Sequence, residues 1–340
     1  MPDWIGHLGR RILRMAGRAD PAAAQTADGD ARIVDLTKNL QRFRKEAQCR
    51  QHIGNVAARY FIKHERTPDI AIPFDAVTVD SNPEWMAGVL EKRELSEPEF
   101  AVFGFFRDPD STILDVGAHF GYSAASIWAA GSHAAVVSFE PNPWHRACLQ
   151  RIKDARPGRY DFISMGVGNA RTAIRFVVPV VEGVGVSGLS SAAIESEMDW
   201  AIPENVLRYM MEYLPDIPVP RLQFSATEWQ IAPLDELLSG TPVAVPIGQI
   251  AAIKIDVEGY EPSVIDGATG TLAKHKPLLM IEGANRVPEV VEPLRRLGYQ
   301  YGDLHAGAAR LTDDVSTRVS GFYLHESRLD EYRRIGLLVA

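Results

Sequence analysis

Cysteine is scarce in this chain: Cys49 and Cys148 are the two among 340 residues. They stand far apart and form neither a C-x-x-C pair nor a His-supported zinc pattern, which excludes a disulfide scaffold and suits thiols in a reducing compartment. No run approaches the roughly 18 to 20 consecutive apolar residues of a membrane span. The N-terminus also lacks the continuous apolar stretch of a secretory signal, so cytoplasmic residence is expected. Positive charge is not in excess, with 36 Lys and Arg against 44 Asp and Glu and a formal charge of -8. A broad phosphate-binding face for nucleic acid is therefore not expected. Internal repeats are lacking as well.

What is present suits a globular α/β protein. Hydrophobic residues make up 46% and charged residues 24%, enough for a sizeable core in one large domain or a domain with an appendage. Residues 1–30 read as a basic helix and a linker. Ile5, Leu8, Ile12 and Met15 share a helical face beside Arg10, Arg11, Arg14 and Arg18. That helix either packs on its own domain or touches an anionic membrane surface through residues 5–18. Residues 31–94 read as an N-terminal cap, helical and charged from Ile33 to Lys63 and β-like from Ile70 to Val79.

From residue 95 to 340 apolar strands alternate with amphipathic helices, the pattern of a doubly wound, mostly parallel, Rossmann-like sheet. Strands are expected at 112–116, 135–140, 161–167, 250–256, 278–282, 299–303 and 320–325. Helices are expected at 122–130, 144–155, 261–274 and 288–297. The alternation breaks between the third and fourth strands, where 171–178 reads as a hairpin strand and 195–213 as a helix. That stretch is too long for a simple connection, and a lid inserted at about 181–220 is expected.

The sharpest local pattern is Asp115-Val116-Gly117-Ala118-His119-Phe120-Gly121-Tyr122, a buried strand running into a glycine turn and then a helix. Ligands of doubly wound sheets bind outside the carboxyl ends of the strands. Gly117 lets backbone approach a ligand and Gly121 permits close packing as the helix begins. This is not the G-x-G-x-x-G of dinucleotide enzymes, and Asp115 before the turn would repel a pyrophosphate while attracting an ammonium or sulfonium. S-adenosylmethionine is favoured over NAD on that ground. Nineteen residues beyond Gly121, the second strand ends in Glu140-Pro141-Asn142. An acid there can accept hydrogen bonds from both ribose hydroxyls. Gly168 and Asn169, after the third strand, either face an adenine ring or form an ordinary turn.

The fourth strand reads Ile253-Lys254-Ile255-Asp256-Val257-Glu258-Gly259. Alternation would set Lys254, Asp256 and Glu258 on one side, although a central parallel strand should be apolar on both faces. Either Lys254 pairs with an acid for structural reasons or the three line a polar site. In that site Asp256 meets the cofactor ammonium, or Asp256 or Glu258 takes a proton from a substrate hydroxyl. Glu282 and Asn285, with Asp256 and Glu258, could bind a hard divalent cation, though nothing requires one and no metal ligand is assigned.

On these residues the chain resembles the FkbM family of methyltransferases, named for a macrolide-biosynthesis O-methyltransferase. The likeness runs from about Glu97 to His325 and rests on Asp115–Gly121, Phe139-Glu140-Pro141-Asn142, Leu234-Asp235-Glu236-Leu237 and Ile253–Glu261. It departs from the family at His119, where Asn is usual, and in a longer insertion. The resemblance implies that Glu97 lies near the cofactor and that Val186-Ser187-Gly188-Leu189 is a serine-leucine element. It also implies O-methylation of a hydroxyl on a sugar, a polyketide or another small molecule or glycan. A nicotinamide-dependent oxidoreductase and a non-catalytic cofactor-binding module are the rival readings.

Overall fold

The computed structural model describes residues 83–181, 184–185, 191–192, 222–283, 287–313 and 320–340. The basic helix and linker, most of the expected cap and lid, Ser187, Leu189 and Asn285 lie outside the described residues. The chain divides into two units, Ser81–Ile174 with Glu228–Ala340, and Met1–Asp80 with Arg175–Thr227.

The first unit holds a sheet built from nine strands among the described residues: β1 (Thr112–Val116), β2 (Ala135–Phe139), β3 (Tyr160–Ile163), β9 (Ile250–Ile255), β10 (Leu278–Glu282), β11 (Tyr299–His305), β12 (Ala308–Leu311), β13 (Ser320–His325) and β14 (Leu338–Val339). Their spatial order is β14-β12-β11-β13-β10-β9-β1-β2-β3. Strands β3, β2, β1, β9 and β10 are mutually parallel. Strand β13 runs against both β10 and β11, which returns β11 to the parallel direction, and β12 with β14 form a reversed edge. The sheet is thus mixed but mostly parallel, as expected. The β12 and β14 edge, four and two residues long, carried too little pattern to be expected.

The central strands β1, β2 and β9 are buried at every position. Burial on both faces is why they read as largely apolar runs, interrupted by isolated polar residues such as Asp115, Ser138 and Lys254, rather than as alternating ones. Helices α1 (Pro83–Lys92), α2 (Tyr122–Ala129), α3 (Arg146–Ala155), α4 (Leu234–Gly240), α5 (Glu261–Gly267), α6 (Thr269–His275), α7 (Pro288–Arg296) and α8 (Leu329–Arg334) accompany the sheet. Because α1 packs on α3, this unit starts at Ser81 rather than at residue 95.

Two expected elements are each divided. The run at 161–167 is β3 followed by β4 (Gly166–Val167), which leaves β2 and pairs with the end of β8 (Leu222–Ala232) through Gly166↔Ile231. The expected helix at 261–274 is α5 and α6. At the end of α5 the Gly267 backbone lies against the Gly168 carbonyl, where any Cβ would overlap it, so only glycine fits there. In the other unit, β5 (Thr172–Val181) pairs with β6 (Val184–Gly185) and β7 (Ser191–Ala192) through Val180↔Gly185 and Phe176↔Ala192.

Candidate active site

Chain connections run outward from β1 through β2 to β3, and then resume on the other side of β1 with β9 and β10. The order therefore reverses between β1 and β9, and the crevice at their carboxyl ends is where such sheets bind ligands. The two strand ends are locked together there. The Asp256 N–H donates to the Val116 carbonyl at 3.1 Å. A Cβ on Gly117, which has φ +76, would overlap the Asp256 carbonyl oxygen, so only glycine fits this turn.

Under the turn lies a polar network. Asp115 has no exposed surface, and its Oδ2 accepts from Ser123 Oγ at 2.7 Å and Ser138 Oγ at 2.9 Å. Its Oδ1 accepts no hydrogen bond and lies 3.6 Å from Lys254 Nζ. Lys254 is likewise buried. Its ammonium donates to the Gly117 carbonyl at 2.7 Å and stands 3.3 Å from Asp256 Oδ2. One buried cation thus serves two carboxylates and pins the turn, and the pairing explains how a charge tolerates a central strand. Lys254 meets the pairing alternative, its ammonium facing the Gly117 carbonyl and the two carboxylates. Asp115 is enclosed beneath the turn instead of facing a ligand directly, and it acts through Lys254 and the two serines.

The turn itself presents backbone donors. Gly117 and Ala118 N–H both donate to the Phe139 carbonyl, at 3.0 and 3.2 Å, which closes β1 on β2. His119 has φ +52, a conformation that Asn and His tolerate better than most side chains, so the His in place of the family's usual Asn keeps the backbone path. Its N–H donates to Glu140 Oε2 at 2.7 Å, and Asn142 N–H donates to Glu140 Oε1 at 2.8 Å. Burial pushes the Glu140 carboxyl up to about 7, a rise that Asp115 adds to and the two backbone donors and Lys254 resist. Each oxygen keeps a second lone pair for a ligand hydroxyl.

Beside Glu140, the Asn142 Oδ1 accepts from Trp144 N–H at 3.0 Å and its amide nitrogen lies 3.1 Å from His145 Nε2. His145 is fully enclosed and burial lowers its pKa to about 3, so it is neutral and Nε2 accepts from the amide. The His119 ring packs 4.1 Å from both the His145 and Phe120 rings. Pro141, between Glu140 and Asn142, is half-buried, and Tyr122 opens α2 just after Gly121 at φ +90.

Strand β9 ends at Ile255, so the alternation that would align Glu258 with Lys254 does not extend that far. Asp256 keeps 15% of its side chain exposed. Glu258 sits exposed on a left-handed turn at φ +54. Glu261 holds this turn: its buried carboxylate accepts from Val257 and Gly259 N–H at 3.2 and 3.3 Å, and burial raises its pKa. Glu97 is buried just ahead of a 3-10 helix at Pro98–Phe105, and Ser96 N–H donates to Ser126 Oγ, which fastens the segment to α2.

Gly168 and Asn169 directly follow β4. Asn169 is exposed, its N–H donates to Ser263 Oγ at 3.0 Å, and it borders an open groove of about 740 Å³ between α5 and α7. The Leu234–Leu237 motif is structural: Asp235 accepts from Gly270 N–H, Thr271 N–H and Thr271 Oγ1 and so caps α6 from α4. Among the described residues no three His, Cys, Asp or Glu gather to hold a metal ion, and no helix is long and apolar enough to cross a membrane.

Sequence reasoning missed Ser123, Ser138, His145 and Glu261. Ser138 was detectable as the one polar residue of Ala135–Phe139, and its register partner is Asp115.

Comparison with known proteins supports a single assignment. A family model described as the methyltransferase FkbM domain matches residues 115–301, more than half of the chain. No curated protein matches. A solved methyltransferase FkbM from Methylobacillus flagellatus KT is similar at 17% identity over 87% of this chain, with a TM-score of 0.38. The present chain covers 60% of its length. The O-methyltransferase TomG from Streptomyces achromogenes, involved in tomaymycin synthesis and solved with SAM, is similar at 13% identity over 83% of this chain and 91% of its own, with a TM-score of 0.29. The precorrin-6y C5,15-methyltransferase from Geobacter metallireducens GS-15 is similar at 12% identity over 76% of this chain and 98% of its own, with a TM-score of 0.29.

Proposed function

The chain belongs to the FkbM methyltransferase family, and from that premise we propose that it is an S-adenosylmethionine-dependent O-methyltransferase acting on a hydroxyl of a sugar, a polyketide or another small molecule. The observation that carries the cofactor is the charge of the crevice. Three carboxyl groups, Asp115, Asp256 and Glu140, gather about the glycine turn, with the Lys254 ammonium 3.6 and 3.3 Å from the two aspartates. A cationic ligand is attracted there and a pyrophosphate is repelled.

The residues fit the group. Glu140, with a lone pair remaining on each oxygen, would accept the two ribose hydroxyls, and the partly exposed Asp256 carboxylate would accept the ammonium. The turn at Gly117–Gly121 supplies close backbone approach, and Glu97 closes the site from the segment fastened to α2. When bound, S-adenosylmethionine supplies an electrophilic methyl group on its sulfonium.

The chain contributes alignment and proton acceptance. Asp256 or Glu258 takes the proton of the acceptor hydroxyl, which is a poor nucleophile until it is released. The rigid β1–β9 junction fixes those carboxylates relative to the turn, and orientation of this kind accounts for most of the rate in a displacement that needs collinear approach. Cytoplasmic residence belongs to the same reading and rests on cysteine usage, Cys148 being a buried thiol.

The test is calorimetric titration with S-adenosylmethionine, S-adenosylhomocysteine and NAD, on the wild type and Glu140→Ala. Binding of the first two, lost in the variant, supports the reading. A clear NAD response with silence towards both adenosyl ligands overturns it.

A further inference from the structure

A half-open pocket of about 320 Å³ lies at the opposite end of the sheet from the glycine turn, where α2 and α3 finish and β2 and β3 begin. Arg93, Arg156, Arg159 and His133 line it around Trp128 and Ser132. In a chain of net charge -8 this lining contains no carboxylate among the described residues. Helix α2, eight residues or about 12 Å long, separates the pocket from the turn, so it is no part of the cofactor crevice.

Arginines gathered this closely repel one another and normally recruit an acid. None of these three pairs with a carboxylate among the described residues. The Arg156 guanidinium lies over the Trp128 ring at 5.1 Å, and Arg159 Nη1 donates to the Pro109 carbonyl at 3.0 Å. Arg93 sits exposed just beyond α1.

Cations at helix ends often serve to complement the helix dipole. Here the terminal carbonyls are served from the backbone instead. Ser126 and Trp128 carbonyls accept from Ala130 and Gly131 N–H, and the Lys153 carbonyl accepts from Arg156 N–H. The guanidinium groups are thus not taken up by those carbonyls, and apart from the one Arg159 bond to Pro109 their donors have no carboxylate to meet among the described residues. Trp128, anchored by its own Nε1 to the Ala134 carbonyl at 3.2 Å, holds Arg156 in place by stacking, which lowers the entropy cost of using it.

We propose that this pocket binds a phosphate group carried by a small ligand, with Arg93, Arg156 and Arg159 as its clamp. Planar guanidinium forks match the oxygens of a phosphate in paired hydrogen bonds, and the volume admits a phosphate with a small organic group attached. His133 lines the same pocket, whereas the Ser132 hydroxyl already donates to the Phe106 carbonyl at 3.0 Å.

The experiment is calorimetric titration of the full chain with sodium pyrophosphate, inorganic phosphate and glycerol 3-phosphate at about 0.15 M salt, against chloride at matched ionic strength. Pyrophosphate or glycerol 3-phosphate should bind with a Kd below about 1 mM and weaken at least about tenfold in each of Arg93→Gln and Arg156→Gln. Which of the two binds more tightly tells a diphosphate ligand from a phosphomonoester. Arg93 is exposed, so that variant should keep the wild-type circular dichroism and Tm. Heat no greater than chloride gives, or binding undiminished in both variants, overturns the proposal.

Discussion

Replacing Lys254 by methionine removes the one cation shared by Asp115 and Asp256 while keeping the length of the side chain. Asp115 has no exposed surface, and its Oδ1 has no hydrogen-bond donor to replace the ammonium 3.6 Å away. Removing one partner of a buried ion pair costs about 3 to 5 kcal/mol, because the remaining charge is left in a medium of low dielectric. For a unit of this size each kcal/mol moves Tm by about 2 to 4 °C, so a fall of roughly 6 to 20 °C is expected in thermal melts. The turn loses its anchor at the Gly117 carbonyl as well, so affinity for S-adenosylhomocysteine should fall with stability. The second variant, Asp115→Asn with Lys254→Met, removes the stranded charge and should recover at least about half of the loss. A single variant that melts within about 2 °C of wild type, or a double variant no better than the single, would falsify the claim that Lys254 works by neutralising and pinning.

Gly117→Ala should abolish cofactor binding and lower Tm, since its Cβ meets the Asp256 carbonyl and its φ is +76; unchanged calorimetry would refute the tight β1–β9 junction. Glu140 titrates at about 7, and its ionised form is the better acceptor for hydroxyls, so affinity should weaken about tenfold on going from pH 8 to pH 6. The sign for stability is opposite: the raised pKa makes the folded state hold a proton that the unfolded state releases above about 4.5, so its contribution falls as pH rises from there through about 7. A flat pH profile of affinity contradicts this. Asp235→Ala removes three hydrogen bonds at the start of α6 and should cost about 1 to 2 kcal/mol in denaturant melts while leaving cofactor affinity intact. Asp256→Asn and Glu258→Gln, assayed for methyl transfer on a panel of hydroxylated acceptors, should separate the base from the binding carboxylate. The base variant loses kcat at near-normal cofactor affinity, and full turnover in both removes these two from the mechanism.

The strands of the parallel set were legible because burial on both faces writes a largely apolar run into the sequence, interrupted by Asp115 within Ile113–Val116 and by Ser138 within Ala135–Phe139. The carboxyl-end location of the crevice followed from the same pattern, and the glycine turn and Glu140 stand where the two motifs put them. What remained hidden depends on pairing between distant segments. The run at 161–167 gives no local sign that it changes partner after Ile163, because β8, which receives Gly166, lies more than fifty residues downstream. The need for glycine at 267 comes from the Gly168 carbonyl, equally remote. Glu258 was misplaced because strand alternation was carried past the point where β9 ends and the backbone turns left-handed.

Asp115, Ser138 and Lys254 were each visible as polar residues in apolar strands, yet each taken alone admitted a ligand role. Register makes them one object: Asp115 lies opposite Ser138 on one side and opposite Lys254 on the other. The charges on the central strands are therefore tolerated because they neutralise one another across β1 and β9. Asp256, just past the end of β9, faces the same ammonium and keeps part of its side chain exposed, so the buried network reaches the mouth of the crevice through this carboxylate, where a cationic cofactor would meet it.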